Sequence, residues 1–158
     1  MVSRLYLRAK YSFDTSAFID SWRRWYPPLN FVSLWNYIAD QIENEKIIAS
    51  IIVRKELERQ HDDLLDYVNK FSTLFKNPTQ EEQDIINQII NDQNYEHWGR
   101  GELYEADPFV IALASVHNLT VVTYEHPNKN GKIPAACRDY NVDCCDFPEY
   151  IRRENLLF

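Results

Sequence analysis

Residues 105–125, EADPFVIALASVHNLTVVTYE, contain the pattern that decides the fold. The first half is apolar around almost its whole circumference, which predicts a buried helix over residues 108–118. A run rich in β-branched residues follows and predicts a buried strand over residues 119–125. Asp107 stands directly before Pro108, an order typical of a helix start. We expect its carboxylate to cap this helix, to be held at the edge of a sheet, or both.

The same periodicities assign the rest of the chain. Strands are predicted at residues 10–13, 46–50 and 142–146, and polar loops at residues 99–105 and 126–134. Helices are predicted at residues 16–26, 31–44, 51–60, 62–75, 79–98, 135–140 and 148–154. Because buried strands alternate with helices, we expect an α/β fold with a small parallel sheet of about 4–5 strands flanked by helices. Residues 1–158 are expected to form one domain, with a helical insertion at about residues 62–98.

Composition excludes several classes of function. The 17 basic and 24 acidic residues give a net charge of −7, which argues against broad neutralisation of duplex DNA. Only three glycines occur, so the glycine-rich loops of dinucleotide-binding and P-loop proteins are absent. Three cysteines, two of them adjacent, are a poor disulfide framework and predict free thiols. No apolar run has the length of a membrane span, so we expect a soluble, cytoplasmic protein.

Four acids far apart in the sequence are expected at one edge of the sheet. Asp14 ends the first predicted strand, Glu125 ends the strand at residues 119–125, and Asp107 begins the helix that precedes that strand. Glu56 lies about one helical turn beyond the strand at residues 46–50. Ligands of open α/β sheets bind beyond the carboxyl ends of the strands, where these acids meet. A divalent cation would relieve their mutual repulsion, and oxygen ligands favour Mg²⁺ or Mn²⁺.

Each acid also has an ordinary structural explanation. Asp14 and Asp107 are both placed to cap a helix, which is the commonest role of aspartate at such positions. Glu56 can be a solvated helix residue and Glu125 a loop residue. The expected convergence of all four acids is therefore a stronger signal than any one of them.

Four segments resemble the PIN-domain ribonucleases in order and spacing. They are YSFDTSAFID (11–20), VRKELE (53–58), ADPFVIALA (106–114) and LTVVTYE (119–125). The segments SWRRWYPP, HDDLLDYV and KIPAACRDYNVDC further resemble a PIN-like branch of uncharacterised bacterial and archaeal proteins. The resemblance implies a PIN-like three-layer sandwich.

The resemblance also implies a site and an activity. Asp14, Glu56 and Asp107 would bind Mg²⁺ or Mn²⁺, and Glu125 would take the fourth acidic position, where aspartate is commoner. Thr15 and Ser16 would orient the first acid, and Thr123 matches the threonine before the fourth. The implied activity is that of a metal-dependent endoribonuclease, often the toxin of a type II toxin–antitoxin pair similar to VapC toxins. The implied partner is an antitoxin, which in this branch is often a helix-turn-helix protein with a metallopeptidase-like domain.

RNA binding and self-association would have to use local surfaces, because the net charge is negative. The candidate phosphate contacts are Arg23, Arg24, Arg100, His126, Lys129, Lys132 and Arg138, each of which can equally be a solvated charge. Trp22, Trp25 and Tyr26 can stack on unpaired bases, pack in the core or form the interface of a homodimer.

Other functional classes compete with this interpretation. A haloacid dehalogenase phosphatase needs an acid two residues after Asp14, where Ser16 stands, and the last predicted strand lacks the lysine that a receiver domain needs. A non-catalytic PIN-like binding module and a structure-specific DNA nuclease both stay open. The absence of a basic extension disfavours the DNA nuclease.

Overall fold

The computed structural model of the chain describes residues 5–100 and 105–157. Within these residues, five strands form one sheet in the order β3-β2-β1-β4-β5. The strands are β1 (Tyr11–Phe13), β2 (Ile47–Ser50), β3 (Phe75–Lys76), β4 (Thr120–Val122) and β5 (Cys144–Cys145). All four pairings are parallel, and Ser12 of β1 stands opposite Ile48 of β2 and Val121 of β4. The predicted parallel α/β fold is therefore confirmed.

The helices connect these strands along the described chain. They are α1 (Thr15–Asp20), α2 (Val32–Glu43), α3 (Ile51–Glu58), α4 (Asp63–Val68), α5 (Gln80–Ile90), α6 (Asp107–His117), α7 (Ile133–Asp139) and α8 (Phe147–Arg153). A π-helical segment at Ser21–Trp25 extends α1, and a 3₁₀ turn occupies Glu96–Gly99. Among the described residues, no helix combines the length and apolarity that a membrane crossing requires.

Helices cover both faces of the sheet. Every residue of β1 is buried, although successive side chains of a strand point to opposite faces. The Ser12 hydroxyl donates a hydrogen bond to the Val110 carbonyl oxygen of α6 at 3.1 Å. The Phe13 ring lies 5.4 Å from that of Tyr150 in α8, on the opposite face. Because α6 and α8 lie on opposite faces of β1, the sheet is the middle of three layers.

One of the three aromatic residues considered for RNA stacking or a dimer interface, Trp22, belongs to the core. Trp22 is buried, its ring lies 4.9 Å from that of Trp35, and its Nε1 donates to Asp63 at 3.1 Å. Trp25 keeps 54 % of its surface exposed, and Tyr26 is partly buried. Of the three aromatic residues, Trp22 is therefore unavailable for stacking on RNA or for a dimer interface.

The predicted helix over residues 62–75 is wrong beyond Val68. The backbone turns at Asn69 and returns to the sheet as β3, whose residue Phe75 pairs with Ala49. Asn, Ser and Thr between residues 69 and 73 are weak helix formers, and burying Leu74 beside the sheet favours the extended form. The insertion at about residues 62–98 is therefore not purely helical, because it supplies an edge strand.

The predicted helix over residues 79–98 is wrong beyond Ile90. Thr79 and Glu82 form a capping box that begins α5, and Asn91 ends it. The Asp92 side chain then accepts a hydrogen bond from the Asn94 backbone N–H at 2.9 Å, a local turn that competes with helix. The loop predicted at residues 126–134 is also too long, since α7 begins at Ile133 with Pro134 in its first turn.

Candidate active site

The carboxyl ends of β1 and β4 lie side by side and hold Asp14 and Thr123. The Asp14 backbone N–H donates to the Val122 carbonyl oxygen at 3.0 Å, so the residues that follow the two strands are neighbours. The Asp14 Oδ2 atom accepts hydrogen bonds from Ser16 Oγ at 2.7 Å and from Thr123 Oγ1 at 2.9 Å. Asp14 is only 4 % exposed, so two hydroxyls from different elements fix a buried carboxylate.

Burial raises the pKa of Asp14, and the hydrogen bonds from Ser16 and Thr123 oppose that increase. Asp14 occupies the position before α1, but its side chain makes no capping hydrogen bond to that helix. Asp14 still stands at the start of α1, and the backbone N–H groups of Thr15 and Ser16 lower the pKa of its carboxylate, so a contribution to the helix start remains. The hydrogen bonds that it accepts from side chains come from Ser16 of α1 and from Thr123 beyond β4.

Glu56 reaches the same edge from α3. Its Oε1 atom accepts a hydrogen bond from Thr15 Oγ1 at 2.8 Å. Thr15 was expected to orient Asp14, and this assignment is wrong for its hydroxyl, because Thr15 begins α1 and faces α3. Burial is the largest cause that raises the pKa of Glu56, and the charge of Asp14 raises it further.

Asp107 is the first residue of α6 and not its cap. The cap position is held by Ala106, and no side-chain capping bond is made there, so the predicted capping role of Asp107 is wrong. Pro108 in the first turn and the buried apolar residues of α6 fix this end of the helix. Burial is the largest cause that raises the pKa of Asp107 well above its ordinary value. The charges of Asp14, Glu125 and Glu56 raise it further, in descending order of effect.

Glu125 lies beyond the end of β4 and caps a different helix. Its Oε2 atom accepts a hydrogen bond from the Ile133 backbone N–H, the first residue of α7, at 2.8 Å. Burial raises the pKa of Glu125 to about 7, the charge of Asp14 adds to the increase, and Lys132 opposes it. One carboxylate oxygen is thus committed to a helix start.

The four predicted acids are electrostatically coupled, and we call Asp14, Glu56, Asp107 and Glu125 the acid cluster. The charge of Asp14 raises the pKa of each of the other three acids. In residues 5–100 and 105–157, however, no group of three or more His, Cys, Asp or Glu side chains is arranged so that it could hold a metal ion. The side chains share one electrostatic environment without forming a ready coordination shell.

The basic residues predicted to contact phosphate differ in the groups that they already contact. Arg23 is tied to Asp62 and Gln60, Arg100 to Glu96, and Arg24 lies over the Trp25 ring. The charge of Lys132 lowers the pKa of Glu125, and Arg138 Nη1 donates a hydrogen bond to the Pro127 carbonyl oxygen at 2.8 Å. His126 accepts from the Asn128 backbone N–H at 3.1 Å, and Lys129 is exposed. Lys132 therefore has the clearest link to the acid cluster.

Two charged residues near the acid cluster were missed from the sequence. Glu105 raises the pKa of Asp107 and Glu125, and Arg59 lowers that of Glu56. Arg59 follows Glu56 by three residues on one helical face, a spacing that could have revealed it. Glu105 is exposed and offers no comparable signal.

A cavity of about 430 Å³ adjoins the acid cluster, and we call it the α7–β5 cavity. Thr123 and Glu125 form one side, and α7 and β5 form the others. Its lining includes all three cysteines of the chain, which are free thiols as predicted.

Comparisons with known proteins identify the family. Residues 11–158 match the profile of a family described as Domain of unknown function (DUF4411). A search among curated proteins finds no match. The matched segment spans most of the chain and includes every member of the acid cluster. The chain therefore belongs to the DUF4411 family.

Proposed function

We propose that the protein is a metal-dependent endoribonuclease with a PIN-like fold that cleaves RNA phosphodiesters. The observation that supports this most is the convergence of four coupled carboxylates from separate elements at the carboxyl edge of a parallel sheet. Keeping four such acids together costs stability, and enzymes accept such costs at functional sites.

The donor set of the acid cluster suits a hard divalent cation, because every candidate ligand is a carboxylate oxygen. Ligation would require side-chain movement, because the described residues hold no ready metal group. Glu56 and Glu125 each commit one oxygen, to Thr15 and to the Ile133 N–H, and could offer the second oxygen to a cation. Bound Mg²⁺ or Mn²⁺ would supply Lewis-acid activation of water and charge neutralisation at phosphate.

The side chains of the site have separate tasks in this proposal. Ser16 and Thr123 both bind the Oδ2 atom of Asp14 and hold the carboxylate in one orientation, so its Oδ1 atom is the one that would bind the cation. Thr15 steers Glu56 in the same way. Lys132 brings positive charge to this acidic edge and contacts an RNA phosphate.

The test of this function is RNA cleavage by purified variants. Asp14→Asn and Asp107→Asn should each lower the Mn²⁺-dependent cleavage rate by at least about 100-fold while the fold persists, because each removes a ligand charge. Asp20→Asn is the matched control, because Asp20 lies in α1 outside the acid cluster and should cleave at the wild-type rate. Wild-type rates in Asp14→Asn or Asp107→Asn would overturn the assignment.

The biological role proposed is that of a type II toxin acting in the cytoplasm, and it rests on the resemblance to VapC-like proteins. Conditional expression of wild type should arrest growth and create new RNA 5′ ends, whereas Asp14→Asn should do neither. The proposed partners are an antitoxin and a second copy of the chain. Trp25, Leu29 and Val32, exposed by 54 %, 92 % and 58 %, offer an apolar surface for such contacts.

A non-catalytic RNA-binding module is the second candidate. It is favoured by the lack of a ready metal group in the described residues and by the commitment of Glu125 to α7. Such a module would bind RNA equally well with Mn²⁺ or with a chelator, and would cleave none.

A further inference from the structure

The α7–β5 cavity opens beside the acid cluster and shares Glu125 with it. Thr123 and Glu125 line the cavity, and Thr123 Oγ1 lies 2.9 Å from Asp14 Oδ2. A polynucleotide with a phosphate at the acid cluster therefore has a neighbouring nucleotide within reach of the cavity. This step rests on the proposed function.

The cavity has the size and the walls expected for a small flat ligand. Its volume of about 430 Å³ lies near the lower end of the range for small-molecule sites. Pro127, Pro134 and Val142 contribute apolar surface, and Tyr124 also lines the cavity. The buried thiol of Cys137 behaves as a further small apolar group.

The charges at the cavity wall are largely paired and favour an uncharged occupant. Asp143 is ion-paired with Arg153, and the charge of Lys132 offsets that of Glu125. Arg138 is held by its bond to the Pro127 carbonyl oxygen, and Asp146 is the remaining carboxylate of the lining. An uncharged base that carries a hydrogen-bond donor therefore suits the cavity better than a phosphate.

One carboxylate has an oxygen left to accept a hydrogen bond from a ligand. Asp146 Oδ1 caps α8 by accepting from the Glu149 backbone N–H at 2.8 Å. Its Oδ2 atom has no hydrogen bond within the described part of the chain. Adenine, cytosine and guanine each carry an exocyclic amino donor, whereas uracil has none and offers only its ring N3–H, which lies between two carbonyl oxygens.

We propose that the α7–β5 cavity binds one unpaired base of the RNA, next to the bond that is cut, and selects bases with an exocyclic amino group. Asp146 accepts from that amino group, and the apolar wall and Tyr124 contact the base. RNA-binding proteins commonly read unpaired bases by contacts of this kind.

The experiment measures base preference without catalysis. Adenosine, cytidine, guanosine and uridine, and tetraribonucleotides of each base, are titrated by NMR in EDTA. Shifts should occur at residues that line the cavity, with uridine at least about tenfold weaker than the amino-bearing nucleosides. The tetranucleotides should bind more tightly than the nucleosides, because an RNA chain is the proposed source of the base.

Asp146→Asn tests the contact directly. Asparagine keeps the cap on Glu149 but presents an amide donor to the cavity, so the preference should move toward uridine. Asp62→Asn is the matched control, since Asp62 caps α4 in the same way but lies outside the cavity, and the preference should not change. Val142→Trp should fill the cavity and abolish nucleoside binding, whereas Val32→Trp on α2 should not.

The outcomes separate this inference from the proposed function. If wild type cleaves RNA but nucleosides leave the cavity signals unchanged, the base site is wrong and the nuclease assignment stands. Base-selective binding by a protein that never cleaves RNA would keep the site and refute the nuclease. An unchanged preference in Asp146→Asn, or binding of nucleosides without tetranucleotides, would overturn the inference.

Discussion

Replacing Glu125 with glutamine should stabilise the metal-free protein at alkaline pH. Glutamine keeps the carbonyl oxygen that the Ile133 N–H requires but removes the charge that Asp14 repels. The acid cluster is coupled and carries a burial cost, so removing one charge should relieve the others. The expected gain is a direct measure of the electrostatic cost of the site.

The magnitude follows from the pKa of Glu125, which burial raises from 4.5 to about 7. At about 1.36 kcal/mol for each pKa unit, the upper limit is about 3.4 kcal/mol. Solvent screening and relaxation at this partly exposed carboxylate reduce the expected value to about 1–2 kcal/mol. Between pH 4.5 and 7 the folded protein keeps a proton that the unfolded chain has lost, so wild-type stability falls as the pH rises through that window.

The assay is urea unfolding in EDTA at two pH values. In the folded protein, Glu125 is mostly protonated at about pH 4.5 and mostly ionised at about pH 8.5. The gain of Glu125→Gln should be small at the lower pH and reach about 1–2 kcal/mol, or about 2–8 °C in Tm, at the higher pH. Glu43→Gln is the matched control, because Glu43 is exposed at the end of α2. Its effect should stay within about 0.5 kcal/mol at both values.

A Glu125→Gln variant that is no more stable than wild type at about pH 8.5 in EDTA would refute the electrostatic cost proposed for Glu125. A gain that is equal at both pH values would also refute it, because the effect would then come from packing or capping and not from charge.

Two further predictions concern the fold. Phe147→Ala should lower the free energy of unfolding, measured in urea, by about 3–5 kcal/mol. Phe147 is fully buried and contacts Phe13 and Tyr150, so a loss below about 1 kcal/mol would contradict its place in the core. Glu82→Ala should lower the free energy of unfolding by about 2–4 kcal/mol. The buried Glu82 accepts a hydrogen bond from His117 Nε2 at 3.0 Å and closes the capping box with Thr79. An unchanged free energy of unfolding would show that neither interaction stabilises the fold.

The existence and parallel direction of four strands could be predicted from the sequence because their apolar runs are continuous and separated by helices. Their order in the sheet, β3-β2-β1-β4-β5, appears only in the structure. The two-residue strand β3 could not be predicted, since Phe75 and Lys76 carry no periodic signal and are extended only because β2 offers a partner. The ends of α4 and α5 were missed for a related reason. Local turns at Asn69 and Asn91 override an apolar periodicity that continues past them.

The acids of the site could be predicted, but their contacts could not. Parallel strands bring Asp14 and Glu125 to one edge whatever their rotamers, which is why order in the sequence was sufficient. Side-chain partners depend on helix orientation, so the bond from Thr15 to Glu56 and the cap that Glu125 provides to α7 appear only in the structure. Asp107 lies one residue inside its helix, a displacement that sequence patterns do not resolve.

Titration of the purified protein with Mn²⁺, followed by calorimetry, tests most directly whether the acid cluster holds a cation. We predict saturable binding to wild type and to Asp20→Asn. Binding should be lost in Asp14→Asn, because this variant removes the carboxylate that influences every other member of the acid cluster. The account is contradicted if wild type takes up no Mn²⁺, or if Asp14→Asn binds it with the same affinity.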